Sequence, residues 1–367
     1  MIYLDNGATS FPKPASVCRA VLDAMNRCGN PGRGGYPEAM NGARVVYDCR
    51  VRGGQLFDCE PEQVVFTSNC TQGLNMAIRS LFKAGDRVVI SGFEHNAVTR
   101  TLHGLGCQIC VAGRKLFDWE NTLEMFRKAL DSSVAGAVFT HVSNVFGYIL
   151  PVAEMAKICR EKGIPFIIDA AQSAGCMQVS LKKLGADFIA MPGHKGLLGP
   201  MGTGILLCGS VPKPLMMGGT GSESKNQNMP DFLPDRAEAG TVNVPGIAGL
   251  NAGMACVQKL GIENIEKREQ DMAARCGEGL EKLGMKVFSG SHQGGTVSFV
   301  PAMDCEEAAA ILALENIAVR AGLHCAPLAH ESAGTIDTGT VRLSFGPDAH
   351  PSQVQNFLTA ASKLRPV

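Results

Sequence analysis

From about residue 60 to 210 the chain alternates short apolar runs with stretches whose apolar positions recur at helical spacing. Val64-Val65-Phe66-Thr67 and Arg87-Val88-Val89-Ile90 have the length and β-branched content of strands, and 135–140, 165–169 and 187–191 repeat the theme. Between them, 73–82 and 152–161 place apolar residues three and four apart, which predicts helices. Strands this apolar, alternating with helices, predict an α/β fold with a mostly parallel sheet flanked by helices on both faces. Ligands in such sheets lie beyond the carboxyl ends of the strands. The residues directly after each run are therefore the ones to search.

Residues 218–240 break the rhythm. Gly218-Gly219-Thr220-Gly221-Ser222 opens a polar loop. A long helical pattern then runs over 247–283. Strands at 295–300, 317–320 and 341–345 and helices at 305–315 and 352–364 follow. This is a smaller α+β unit. The expected division is a large domain over 12–245 and a small one made of 1–11 and 246–367. No internal repeat or low-complexity tract interrupts it.

Charge changes little in this picture. Lys+Arg and Asp+Glu are both 34, so nothing points to nucleic acid or an anionic membrane surface. Met1-Ile2-Tyr3-Leu4-Asp5 has no basic region followed by an apolar run, so no signal peptide is expected, and no run of apolar residues is long enough to span a bilayer. The 14 cysteines are scattered, which favours free thiols in a reducing cytoplasm. Cys107 and Cys110 form a Cys-x-x-Cys pair with no second pair nearby, so they read as two ordinary strand cysteines.

Six segments carry candidate chemistry. Pro192-Gly193-His194-Lys195 follows a strand, where a desolvated lysine amine becomes nucleophilic; the plain alternative is a solvated loop lysine. Asp169 ends the strand before Ala170-Ala171-Gln172. It needs a partner for a buried carboxylate, or else it caps a helix. Asp169 and Lys195 lie 26 residues apart, one strand-helix-strand unit, so both reach the same sheet edge. A pyridine nitrogen paired with an acid and an aldehyde paired with a lysine is the demand of pyridoxal phosphate, PLP. Ser68-Asn69-Cys70-Thr71-Gln72-Gly73 places backbone N–H groups at a helix start, either an anion site or an ordinary cap. Glu94-His95-Asn96 offers an imidazole for stacking and proton transfer, or a structural histidine. Arg320-Ala321-Gly322-Leu323-His324-Cys325 offers a thiol whose neighbouring imidazole and arginine would favour the thiolate, or a bystander cysteine. Arg342, on the strand 341–345, needs a buried anion, either a substrate carboxylate or an internal salt bridge.

Taken in order, these segments resemble the class V aminotransferase superfamily, and within it the cysteine desulfurase / selenocysteine lyase family. Tyr3-Leu4-Asp5-Asn6-Gly7-Ala8-Thr9, Asp169-Ala170-Ala171-Gln172, Gly193-His194-Lys195 and Glu238-Ala239-Gly240-Thr241-Val242-Asn243 look like that family's motifs. Arg320-x-Gly-x-His-Cys325 resembles the catalytic loop of its group II, Suf-type branch. The resemblance spans nearly the whole chain.

The resemblance implies the PLP-dependent transferase fold type I and a homodimer with shared active sites. It implies that Lys195 carries PLP and that Asp169 holds the pyridinium. Gln172 and Asn144 would bond the ring oxygen, and His95 would stack on the ring. Cys70, Thr71 and His194 would bind phosphate, with Thr241 reaching across from the other subunit. Ala8, Asn144 and Arg342 would hold the substrate, and Cys325 would take its sulfur as a persulfide. L-cysteine, or selenocysteine, is the implied substrate, and a sulfur-acceptor protein a possible partner. Three positions depart from the family's usual pattern. Pro192 stands where a Ser or Thr is frequent, Asn96 where group II often has a second His, and Asn69-Cys70 where Gly-Thr is common. Selenocysteine lysis, sulfinate desulfination and transamination are rival reactions. A non-catalytic sulfur carrier is a rival of another kind, which the presence of Lys195, Asp169 and His95 argues against.

Overall fold

The computed structural model describes residues 1–32 and 34–364. The chain opens with β1 (Ile2–Tyr3), α1 (Ala15–Arg27) and α2 (Pro37–Phe57). The alternating region follows as β2 (Val64–Thr67), α3 (Cys70–Leu81), β3 (Arg87–Ile90), α4 (Asn96–Leu105), β4 (Gln108–Val111) and α5 (Trp119–Ala129). It continues through β5 (Val134–Thr140), α6 (Val152–Lys162), β6 (Phe166–Asp169), α7 (Leu181–Leu184), β7 (Phe188–Pro192) and β8 (Gly204–Cys208). The last part holds α8 (Val244–Leu260), α9 (Ile262–Lys282), β9 (Lys286–Phe288), β10 (Thr296–Val300), α10 (Cys305–Leu314) and β11 (Ile317–Ala318). It ends with β12 (Arg320–Gly322), α11 (Pro327–Ala333), β13 (Thr340–Ser344) and α12 (Pro351–Ala361).

Strands β2 to β8 form one seven-stranded sheet in the order β2-β8-β7-β6-β5-β3-β4. β8 runs antiparallel to β2 and β7; every other pairing is parallel. The apolar runs are apolar because helices cover both faces. Val89, Phe139, Ile168 and Ile189 pack with residues of α2, α5 and α6. Their chain neighbours Val88, Val138, Ile167 and Phe188 pack with α3 and α4. This is the period-two alternation of a strand buried on both sides.

A second sheet, β12-β13-β10-β9, is antiparallel. Its Val297, Phe299, Val341 and Leu343 pack against α9, α10 and α12. The N-terminus belongs here too, because β1 pairs with β11.

Two expectations are corrected. The helical pattern over 247–283 is two helices, α8 and α9. Gly261 between them adopts φ +80°, a conformation that ends a helix and that glycine tolerates best. The strand expected at 317–320 is two short strands, β11 and β12, which pair in different sheets. The segment 218–240 has neither helix nor strand, as expected. It is fastened by Glu238, whose carboxylate pairs with Arg50 (Nη1–Oε1 2.9 Å) and accepts from Phe66 N (2.6 Å). Both ionic side chains are nearly buried, so this pair fixes the loop against the start of the sheet.

Candidate active site

Four adjacent strands, β7, β6, β5 and β3, deliver their carboxyl ends to one edge of the large sheet. Asp169 closes β6 between Thr140 of β5 and Ala190 of β7. No helix follows it directly, so it is not a helix cap. Its Oδ1 accepts from Ala171 N (2.9 Å) and from the Cys70 thiol (3.5 Å). Asp169 is 3 % exposed. A carboxylate this buried, satisfied among the described residues only by one amide and one weak thiol donor, retains capacity for a cationic or N–H partner.

Lys195 stands just past β7. Among the described residues nothing hydrogen-bonds its Nζ, and burial, with the Arg342 guanidinium next, holds its pKa below the ordinary lysine value. The following turn is tight. A side chain at Gly196 would put Cβ 2.4 Å from Ala174 O, so glycine is required for the backbone to fold back there. His194 precedes Lys195 with its Nδ1 unpartnered, and burial pushes the imidazole down to about 4. It is neutral.

His95 caps α4, its Nδ1 accepting from Ala97 N (3.0 Å). Burial lowers its pKa below 6.5, so the neutral ring carries its proton on Nε2. Asp169, Lys195 and Arg342 all act on His95 electrostatically, which places the four in one field. At the start of α3, Asn69 is the cap and accepts from Gln72 N (2.9 Å). Thr71 is exposed in the first turn.

The Cys70 side chain, expected at a phosphate, has Asp169 as its partner. It points back to the sheet, bonds Asp169, and burial pushes its thiol well above the usual value. Only its backbone N–H remains for an anion. Thr241 is exposed, lining one recess with Tyr47 and Arg50 and another with Ser68 and Gln72 at the start of α3.

The second sheet brings Arg342 in from β13. Its Nη2 pairs with Asp5 Oδ1 at 2.7 Å, its Nη1 donates to Asn144 O at 2.9 Å, and its Nε has no partner. The internal salt bridge is thus present, and among the described residues Nε is a donor left without a partner. Asn144 Nδ2 donates to His324 O (2.8 Å) and Gln172 Nε2 to Gly7 O (3.0 Å). Each amide therefore keeps one N–H in reserve. Ala8 lies in the same N-terminal turn, its N–H on Asp5 O at 3.0 Å.

Cys325 is exposed, and the loop that presents it is strained. His324 (φ 51°) and Cys325 (φ 56°) are consecutive non-glycine residues in the left-handed region. Such residues cost about 1–3 kcal/mol each and persist only when their surroundings fix them. Here Asn96 N donates to Cys325 O (2.8 Å), and Asn144 grips His324 O. The backbone that presents the thiol is thus pinned to Asn96, next to His95, and to Asn144, whose carbonyl accepts from Arg342.

The expected cationic neighbours of Cys325 are not available. His324 is buried against Thr340 (Nε2 to O, 3.2 Å), and burial, reinforced by Arg342, pushes it down to about 2, so it is neutral. Arg320 is committed to Asp5 (3.0 Å).

Sequence reasoning gave no role to Asp5, Glu94 or Glu269. Asp5 pairs with two arginines from the far end of the chain. Glu94 accepts from Ser91 Oγ and Thr140 N, tying the ends of β3 and β5, and burial pushes it up to about 8. Glu269 lines the cavity beside Lys195 and Gln172 and is likewise held up to about 8 by burial. Only Asp5 and Glu94 left a trace in the sequence, as members of the Tyr3–Thr9 and Glu94–Asn96 segments. The described residues contain no cluster suited to a metal ion. Among them, no helix is long and apolar enough to cross a membrane.

The aminotransferase class-V family model matches residues 2–357. A probable cysteine desulfurase of Pyrococcus abyssi is 33% identical over 99% of this chain and 94% of its own length. One of Methanothermobacter thermautotrophicus is 32% identical, over 94% of this chain and 90% of its own. The apo structure of the cysteine desulfurase from Thermococcus onnurineus NA1 superposes with a TM-score of 0.90 at 32% identity, covering 99% of this chain and 94% of that one. With Asp169, Lys195 and His95 gathered at the strand ends of such a sheet, the chain belongs to the class V aminotransferase family, in its cysteine desulfurase branch.

Proposed function

We propose that the chain is a PLP-dependent cysteine desulfurase of the group II type, releasing L-alanine from L-cysteine and keeping the sulfur on Cys325 as a persulfide. The observation that carries this reading is Cys325 itself, held in a strained backbone by Asn96 and Asn144, beside the residues of the cofactor site. Transamination needs no such thiol.

The residues fit PLP. Asp169 has an under-satisfied buried carboxylate, Lys195 a free amine of lowered pKa, and His194 and Arg342 one orphaned nitrogen each. Bound there, PLP would act as an electron sink for the substrate α-carbon. Asp169 would hold the ring nitrogen, His95 would stack on the ring, and the start of α3 with Thr71 and His194 would hold the phosphate. Asn144 and Gln172 would spend their reserve N–H groups on the ring oxygen. Arg342, through Nε and by exchange with Asp5, would hold the substrate carboxylate near Ala8. The Lys195 amine would move the α-proton. Cys325 Sγ would attack the substrate sulfur, forming the S–S bond as the Cβ–S bond breaks. L-cysteine plus the thiol thus becomes L-alanine plus the persulfide.

Asp169→Ala should weaken PLP binding and lower alanine formation about a hundredfold, since removing one partner of a buried charge pair costs several kcal/mol. Alanine release from L-cysteine by purified protein, supplied with PLP and a reductant, is the measurement. Unchanged turnover in the variant would show that another group faces the ring nitrogen.

The same proposal includes the division at 245 and a homodimer. Helix α8 would carry the junction, packed on α1 and α2. Leu22 and Met25 on α1, Tyr47 on α2, and Met201 and Met217 are large, apolar and exposed. Tyr47 shares its recess with Thr241, so a second copy seated there would receive Thr241. PLP-loaded protein should sediment at twice the chain mass, and a fully active monomer would contradict this.

A further inference from the structure

Four donors converge on one backbone oxygen, the carbonyl of His194, in the peptide that leads into Lys195. They are Ser10 N (3.0 Å), Thr9 Oγ1 (3.0 Å), Ser10 Oγ (3.2 Å) and Lys13 Nζ (2.7 Å). A carbonyl has two lone pairs and is ordinarily satisfied by one or two donors. Lys13 also donates to Ser10 Oγ (2.7 Å) and reaches Thr9 Oγ1 (3.5 Å), so it orients both hydroxyls toward the same oxygen.

Lys13 is half-buried, and among the described residues no carboxylate pairs with it. Burial pushes it down to about 8. A cation bound to a peptide oxygen at such desolvation cost is unusual on a protein surface, where lysines are mostly solvated. Its own backbone is confined between Pro12 and Pro14.

The rest of the N-terminal segment ties the same place to the small sheet. Asp5 pairs with Arg342 and Arg320, Gly7 N donates to Ser344 Oγ (2.6 Å), and Gly7 O accepts from Gln172.

We infer that Lys13, acting with Thr9 and Ser10, is a positioning residue that clamps the His194–Lys195 peptide and so fixes where the Lys195 amine stands. The inference rests on Lys195 being the cofactor-bearing lysine. A lysine amine sits at the end of a four-carbon stem, so its position is only as defined as its backbone. Misplacement of a reacting group by about 1 Å can cost about a hundredfold in rate.

The test uses the full chain loaded with PLP. Lys13→Met should still be labelled on Lys195 by borohydride reduction, with KM for L-cysteine within about twofold and kcat lower by about tenfold or more. In the cofactor-free protein, the Ser10 amide of this variant should exchange hydrogen faster than in the parent. Ser10→Ala, which removes one hydroxyl and keeps the amide donor, should give the same split at roughly fivefold. Parental kcat in both variants, with Lys195 labelled, would overturn the clamp. A loss of kcat matched by an equal rise in KM would also overturn it, since it would report general loosening. An unlabelled Lys195 in the parent would overturn the clamp together with the reading beneath it.

Discussion

Lys195→Ala should give a folded protein that no longer retains PLP covalently and turns over L-cysteine about four orders of magnitude more slowly, the scale expected when a covalent catalytic group is removed. The fold should survive, because among the described residues nothing hydrogen-bonds the amine and the turn around it depends on Gly196 rather than on the lysine side chain. Chemistry should not survive. Burial and then the nearby Arg342 cation outweigh the opposing pull of Asp169, so the amine is deprotonated and nucleophilic more readily than a surface lysine. Borohydride reduction of the parent followed by peptide mapping should place the pyridoxyl group on Lys195. A label on Lys13 or any other lysine would refute the assignment.

The large sheet was legible because its strands are buried on both faces and read as unbroken apolar runs, as in Phe166-Ile167-Ile168. Helix α2 was not legible. Its apolar pattern is blurred by Tyr47 and Met40, which are exposed, and by glycines set there for close packing. A Cβ at Gly42 would meet Gly29 O at 2.5 Å and one at Gly54 would meet Cys59 O at 2.7 Å. Gly261 went unread inside the 247–283 pattern because periodicity alone does not report a φ angle.

In the site, the residues that carry their own chemistry stood out: Lys195, Asp169, His95 and Cys325. The residues that constrain them did not. The Asp5–Arg342 pair joins opposite ends of the chain, and no local pattern foretells it. Histidine beside cysteine suggested an imidazolium that favours the thiolate. The structure instead buries His324 against Thr340 and keeps it neutral, a contact that depends on how β12 and β13 pair.

That correction changes how the thiol works. With His324 neutral and Arg320 paired to Asp5, Cys325 relies on placement, and its loop supplies that through two left-handed residues locked by Asn96 and Asn144. Cys325→Ser should retain bound PLP and lose cysteine desulfuration roughly a thousandfold, because a serine hydroxyl is a far weaker nucleophile toward sulfur than a thiol. Activity on selenocysteine or a sulfinate should persist, since selenium and sulfite can depart without a thiol acceptor. Cys70 cannot stand in, because it is buried against Asp169 with its thiol held well above the usual range.

The most direct measurement is the mass of the Cys325 peptide after brief exposure of the PLP-loaded protein to L-cysteine and trapping with an alkylating agent. The account predicts one additional sulfur on that peptide, formed in step with one L-alanine per site and absent in Lys195→Ala. An unmodified Cys325 peptide beside full alanine release, or parental sulfur release by Cys325→Ser, would contradict it.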